Sequence, residues 1–289
     1  MKITDNTRGA FLMMGSMAAF TLNDASIKSV AGDMHLFQAV FLRGILTTIL
    51  IGLLAGLRGH MTFVHSRRDW RIITMRTLAE IGATVAFLSA LFHMPIADVT
   101  AILQVLPLAI TFAGALFLGE KVGWRRYGAI ALGFAGVLLI VRPGGDGFSS
   151  YALLALLAVG FVVVRDLATR RLSPQVPSLS VAFITALAIT ILSGSATMLI
   201  DWQAVTAQSA GFLVAASVFI IGGYVLSIMV MRVGEIAFVA PFRYSALVWA
   251  IVLGVVVFGD IPDFWTVFGS VVVVGTGLFS FYRERVLAK

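Results

Sequence analysis

The sequence predicts an all-α membrane protein: ten transmembrane helices arranged as two inverted five-helix repeats. Three observations carry that expectation. The chain is starved of charge, its apolar residues fall into ten runs long enough to span hydrocarbon, and its second half repeats the first.

Charge comes first. Asp, Glu, Lys and Arg make up 12% of the 289 residues and hydrophobic residues 60%, whereas soluble domains carry roughly 25% charged residues. So few charges cannot cover a water-facing surface, so lipid is the expected solvent for most of the chain. The net charge of +7 is then read as the Lys and Arg that cytoplasmic loops collect, not as a nucleic-acid footprint. There is no cysteine, which removes disulfides, thiolate catalysis and Cys-bound metals.

A spanning helix needs about 20 mostly apolar residues. The runs 8–30, 35–57, 70–92, 96–118, 124–141, 150–170, 179–200, 210–231, 236–258 and 263–282 meet that length. Strands of a β-barrel would alternate over about ten residues; these runs are longer and uniformly apolar. The first run holds Asp24 and Lys28 and shows no small-residue cleavage site, so it is expected to stay as a helix rather than leave as a signal peptide.

Basic residues set the orientation. Taking the loops alternately, fifteen Lys and Arg fall on one side, from Lys2 and Arg8 through Arg67, Arg125 and Arg170 to Arg283 and Lys289. The other side holds Arg142, with Lys28 at its edge. Under the positive-inside rule both termini are expected in the cytoplasm, which demands an even number of helices and agrees with ten. The stretch "RGHMTFVHSRRDWR" (58–71) reads as part of that signal; His60, His65 and Asp69 share the loop, at a spacing unspecific for a metal.

The repeat bears on mechanism. Gly119 and Glu120 align with Gly259 and Asp260; one insertion later Trp124, Gly128, Gly136 and Arg142 align with Trp265, Gly269, Gly277 and Arg283. The stretch "RPGGDGFSS" (142–150) is the natural joint, dividing the chain into 1–143 and 144–289. About 140 residues is five helices, an odd number, so the second copy enters the membrane from the opposite side. Transporters use such inverted repeats to alternate access around a site at the midplane.

The segments "FTLNDASIK" (20–28), "FLRG" (41–44) and "LGEKVGWRRYGAIALGFAGVLLIVRP" (118–143), with the two five-helix halves, resemble the EamA family of the drug/metabolite transporter superfamily. The second copy departs from the pattern, with "GDIPD" (259–263) in place of Gly-Glu. The resemblance implies a ten-helix secondary transporter with a central cavity, in the inner membrane of a bacterium. Its known cargoes include amino acids and other metabolites exported, and S-adenosylmethionine or riboflavin taken up.

Charges at membrane depth cost roughly 2.5–3.5 kcal/mol each on insertion scales, so those present should face a cavity or a partner. They are Asp24, Arg43, Arg76, Glu80, Arg165, Asp166 and Arg243. Arg76 and Glu80 share a helix face, as do Asp24 and Lys28. An offset of 140 maps Thr84 onto Tyr224 and Gln104 onto Tyr244, which makes these four the preferred cavity lining. Arg243 joins them, either binding a substrate carboxylate or phosphate, pairing with Glu80 or Asp24, or snorkelling to the inner end about seven residues away. Mid-helix Trp249 either packs against neighbours or stacks a substrate ring. Pro107 and Pro241 each free a carbonyl one turn earlier and read as hinges, substrate-facing breaks or tolerated kinks.

The substrate-binding set is therefore Asp24, Glu80, Thr84, Gln104, Tyr224, Arg243, Tyr244 and Trp249, with no metal ligand and no cofactor. No GxxxxGK[ST] occurs, so nucleotide hydrolysis is not encoded. No HExxH or GxSxG occurs either, and His35, His60, His65 and His93 fall in loops or at helix ends, which argues against an intramembrane enzyme. The expected partners are a small amphipathic or zwitterionic metabolite, membrane lipid and, through Glu80 or Asp24, protons as coupling ion. An uptake permease and a passive channel are the alternatives; a channel's flux would not saturate.

Overall fold

The computed structural model describes residues 5–58, 63, 65–120, 122–144, 148–233 and 236–287. His60 and part of the 142–150 joint lie outside the described residues, as do Lys2, Lys121 and Lys289. Everything regular in the described part is helical: α1 (Asp5–Lys28), α2 (Leu36–Leu57), α3 (Arg67–His93), α4 (Ile96–Leu103), α5 (Leu106–Leu118) and α6 (Trp124–Val141), then α7 (Tyr151–Arg170), α8 (Ser178–Ala196), α9 (Ala207–Val233), α10 (Ile236–Val239), α11 (Ser245–Leu253) and α12 (Phe264–Leu287).

Nine helical segments among the described residues are long and apolar enough to cross a membrane. Helix α1, with 24 residues, matches them in length at about 36 Å. It carries Asp5, Arg8, Asp24 and Lys28, which make it more polar than most of the long helices. All ten sequence-predicted runs correspond to helix, with ends shifted by at most five residues. Leu57, Leu53, Trp124 and Val256 are among many large apolar side chains left facing outward, as lipid-facing surfaces require.

Two runs are broken. Residues 96–118 form α4 and α5, parted at Gln104 and Val105, with Pro107 in the first turn of α5. Proline has no N–H to give and its ring crowds the carbonyl four residues back, so the ladder stops at Leu103. Residues 236–258 form α10, a 3-10 stretch (Ala240–Tyr244) containing Pro241, then α11 and one π-helical turn (Gly254–Phe258). Both runs end on a left-handed glycine, Gly119 at φ 69° and Gly259 at φ 70°. In each, the following residue's N–H returns to a glycine carbonyl: Glu120 to Gly114 at 3.2 Å and Asp260 to Gly254 at 2.9 Å. A Cβ is strained at such φ values, which is why both caps are glycine.

The heaviest packing pairs α1 with α9, α3 with α7, α2 with α8 and α6 with α12. Each pair joins an element before residue 143 to one after it, so neither half has a core of its own. One apolar core, around Val99, Ile102, Leu108, Ile140 and Val273, ties α4–α7, α11 and α12 together; a second, around Ile27, Leu88, Leu91 and Ile96, ties α1–α4 to α9 and α11.

The two ends of the bundle are best named by the chain: the N-terminal face, where α1 begins, and the opposite face. At the opposite face Lys28 Nζ caps α3 by donating to the carbonyls of Leu91 (3.0 Å) and Met94 (2.6 Å). At the N-terminal face Asp69 closes the start of α3: Ser66 Oγ accepts from its N–H, and its own Oδ1 accepts from the backbone and hydroxyl of Ser173.

Candidate functional site

A cavity of about 640 Å³ opens between α2, α3, α8 and α9. Its polar wall comes from Arg43 and Thr47 on α2, Arg76, Glu80 and Thr84 on α3, Thr185 on α8 and Tyr224 on α9; aliphatic side chains such as Ile51, Ile189 and Ile220 complete it. Helical spacing assembles that wall. Positions 43 and 47, and 76, 80 and 84, recur every four residues and so lie on one face of their helices.

Glu80 is held by a cation that comes from across the halves. Arg165 Nη1, on α7, lies 3.0 Å from Glu80 Oε2 and 3.3 Å from Oε1, while its Nε donates to Asp166 at 2.8 Å. This pair is largely sheltered, with 25% and 17% of the two side chains exposed. Arg76 spends its N–H groups on neutral oxygens, Nε to Thr169 Oγ1 at 3.0 Å and Nη1 to Thr185 Oγ1 at 2.8 Å. Arg43, nine-tenths buried, donates from Nη1 to Asn23 Oδ1 at 3.1 Å, and Asn23 donates in turn to Asp24 at 2.9 Å. Its Nε and the nearby Thr47 Oγ1 are buried without a hydrogen-bond partner.

A second, larger space of about 1330 Å³ lies beyond Arg165, between α5, α6, α7, the 240–244 stretch and α12. Glu120, Arg126, Arg165, Asp166, Arg170 and Arg243 line it, with Pro107 and Phe281. Glu120 and Arg170 are paired there at 2.9 Å, about half exposed. Arg165 therefore links the two spaces: it lines the second, and its Nη1 bonds Glu80, which lines the first.

The sequence-predicted residues are divided by this arrangement. Glu80, Thr84 and Tyr224 share the first cavity, and Tyr224 meets Phe20 edge-on at 5.4 Å. Asp24 stands behind Asn23 and Arg43. Arg243 and Pro107 border the second space. Gln104 is buried in the α4–α5 turn and Pro241 sits in the 3-10 stretch. Tyr244 is buried against Gly277 and Phe281, its hydroxyl unpartnered. Trp249 donates to the Met14 carbonyl of α1 at 3.2 Å, so it packs α11 onto α1.

The pairings also differ from expectation. The cation on Glu80 is Arg165, not Arg243 or Arg76. Lys28 caps α3 instead of pairing with Asp24. Arg43 and Arg76 are visible in the sequence as charges at depth but fall outside the expected binding set; Thr47 and Thr185 carry no sequence signal, because a threonine on an apolar helix is as often bonded to its own backbone. Among the described residues no group of three His, Asp or Glu could hold a metal ion.

Residues 7–142 match the EamA-like transporter family. Over 92% of this chain and 93% of the other, the sequence is 26% identical to the pseudopaline exporter of Pseudomonas aeruginosa (strain UCBPP-PA14). It is 24% identical to the S-adenosylmethionine uptake transporter of Rickettsia conorii (strain ATCC VR-613 / Malish 7), covering 96% and 92%. It is 28% identical to the riboflavin transporter of Rhizobium johnstonii (strain DSM 114642 / LMG 32736 / 3841), covering 74% and 71%. A solved crystal structure shares the fold with a TM-score of 0.67 over 98% of this chain and 99% of that one, at 21% identity.

Proposed function

We propose that this chain, which over residues 7–142 belongs to the EamA-like transporter family, exports a small zwitterionic or amphipathic metabolite by alternating access. Small-molecule transport is what its relatives share: an exporter, an uptake transporter and a vitamin transporter. The observation that carries the reading is the cavity between α2, α3, α8 and α9, which sets guanidinium, carboxylate and hydroxyl groups at membrane depth. Such groups are costly there unless they face a pathway or one another.

Alternation rests on two inverted repeats, 1–143 and 144–289. Number the spans one to ten, with α4–α5 as the fourth and 236–258 as the ninth. The heaviest contacts then join spans one and eight, three and six, two and seven, five and ten. Exchanging every span for the one five places away returns the same set, as a two-fold axis in the membrane plane requires. The matched caps at Gly114–Gly119 and Gly254–Gly259, and the breaks in spans four and nine, support it further. Broken spans beside a cavity are the usual place for substrate and hinge.

The N-terminal face, rich in Arg, is read as cytoplasmic, and the membrane as a bacterial inner membrane. Proton coupling passes to Asp24. Glu80 is already paired with Arg165 at 3.0 Å, whereas among the described residues Asp24 accepts from Asn23, which Arg43 reaches from its other side, and forms no salt bridge.

Counterflow in proteoliposomes tests the reading. Vesicles loaded with pooled metabolites should exchange one class saturably, and Asp24→Asn should flatten any pH dependence of that exchange. Flux that rises linearly without counterflow would make the protein a channel and end the proposal.

A further inference from the structure

Taking the cavity between α2, α3, α8 and α9 as the transport site, as the preceding reading does, we propose that it selects cargo by a carboxylate, held between Arg43 and Thr47 on α2 and Arg76 on α3, and that the cargo's amine is dispensable.

The polar groups of the wall divide into those already satisfied and those that are not. The acidic group of the wall, Glu80, accepts two hydrogen bonds from Arg165 at 3.0 and 3.3 Å. A cargo ammonium would have to displace that guanidinium, leaving Arg165 with Asp166 alone. The basic groups are in the opposite condition. Arg43 has one side-chain bond, to a neutral amide oxygen, and its Nε is buried with no partner. Arg76 bonds two threonine hydroxyls and, among the described residues, makes no salt bridge, although the Glu80 carboxylate acts on it from a distance. Thr47 Oγ1, one turn after Arg43, is also buried and unpartnered.

A buried donor without an acceptor costs about 1–3 kcal/mol, more when charged. These groups sit on the wall of one cavity, so a single planar anion can satisfy them together. A guanidinium offers N–H groups in a fork that matches the two oxygens of a carboxylate. Thr47 adds a hydroxyl donor beside it. The aliphatic remainder, Ile51, Ile189 and Ile220, suits an apolar body behind the charged head. A tetrahedral phosphate monoester would also meet the two guanidiniums of this wall, so the matched compounds below separate it from a carboxylate.

The test uses reconstituted full-length protein and matched sets of compounds: leucine, phenylalanine and glutamate, their deaminated acids, their decarboxylated amines, and phosphate monoesters of similar size. Each is scored by counterflow against the pooled metabolites, with wild-type protein and the variants Arg43→Gln, Arg76→Gln and Thr47→Val. The expected result is saturable exchange of the acids, with or without their amines, and none of the amines alone. Either arginine variant should weaken it at least about tenfold, the scale of one lost hydrogen bond to a charged group; Thr47→Val should weaken it less. If Arg43→Gln does not fold, the Arg76 and Thr47 variants and the compound series still decide.

Exchange of the amines at the rate of the acids, or of phosphates alone, would overturn the assignment while leaving transport intact. So would acid exchange untouched in folded arginine variants. Saturable counterflow confined to pooled metabolites that lack a carboxylate would also overturn it. No counterflow of any compound by the wild type would instead sink the transport reading, and this inference with it.

Discussion

Helices α6 and α12 run side by side through the bundle, and their two ends are unlike. Toward the opposite face they touch backbone to backbone: a Cβ added at Gly269 would lie 2.6 Å from the Gly136 carbonyl, and one at Gly136 would lie 3.0 Å from that of Gly269. The same end is tied across by polar contacts. Arg142, the C-cap of α6, meets Asp263 at 2.5 Å; Asp263 accepts from the N–H of Thr266 at 2.8 Å; and the Thr266 hydroxyl donates to Asp98 of α4 at 3.0 Å. Toward the N-terminal face a Cβ at Gly128 would meet nothing within 4 Å, and the larger space lies there, beside Arg126 and Phe281. Small residues bring membrane helices close. At the opposite face glycines bring the two helices into contact; toward the N-terminal face Gly277 packs against the Tyr244 ring instead, and the larger space opens at Phe281, one turn further along. This helix pair is therefore packed closely at the opposite face and borders a space at the N-terminal face.

Forcing the closely packed end apart should have the largest effect. Gly269→Val puts two methyl groups against the Gly136 carbonyl and Ile140, an overpacking worth about 1–3 kcal/mol. Thermal unfolding in detergent should show a lower midpoint, and under the proposed alternating access counterflow should fall with it. Gly128→Val, at the other end, is the control and should leave the midpoint nearly unchanged.

Labelling sharpens the same contrast. The chain has no cysteine, so single substitutions report without background. Gly128→Cys should react with a water-soluble maleimide in detergent far faster than Ile140→Cys, whose parent side chain is 6% exposed. Equal rates would mean that the two ends are alike in solution.

The smallest effects concern the ties themselves. Burial pushes the Asp263 carboxyl up, but the backbone and hydroxyl of Thr266 and the Arg142 guanidinium together hold it below its ordinary 3.8. A carboxyl with a lowered folded value stabilises the fold at neutral pH and loses that contribution as pH drops below the unfolded value. Asp263→Asn should therefore remove a small acid-dependent part of the unfolding midpoint, seen between neutral pH and the acid range and absent below it. Arg170→Gln breaks a half-exposed pair with Glu120 beside the larger space and should cost at most about 1 kcal/mol, with the closely packed end unaffected.

Most of the fold was legible in the sequence because it is a local matter. A spanning segment is fixed by its own residues: hydrocarbon offers no partner for a free N–H or carbonyl, so each apolar run must close its own ladder. The breaks at Pro107 and Pro241 and the turns at Gly119 and Gly259 are equally local, one a missing donor, the other a backbone angle that a side chain resists. The charges at depth were legible for the same reason, since hydrocarbon makes each of them conspicuous.

Their partners were not legible. Sequence spacing suggested Arg76 for Glu80 because four residues is one helical turn, yet α3 packs on α7 and brings Arg165 to it instead. Lys28 could reach Asp24 along α1 but finds the bare carbonyls at the end of α3. Arg243 and Tyr244 are neighbours in the chain; one faces the larger space and the other is buried against Gly277. The sequence by itself determined how many helices there are, where they break and which residues are too polar for lipid. The tertiary structure alone decided which of those residues meet, because that depends on how helices distant in sequence pack and rotate against one another, and no periodicity within one helix records it.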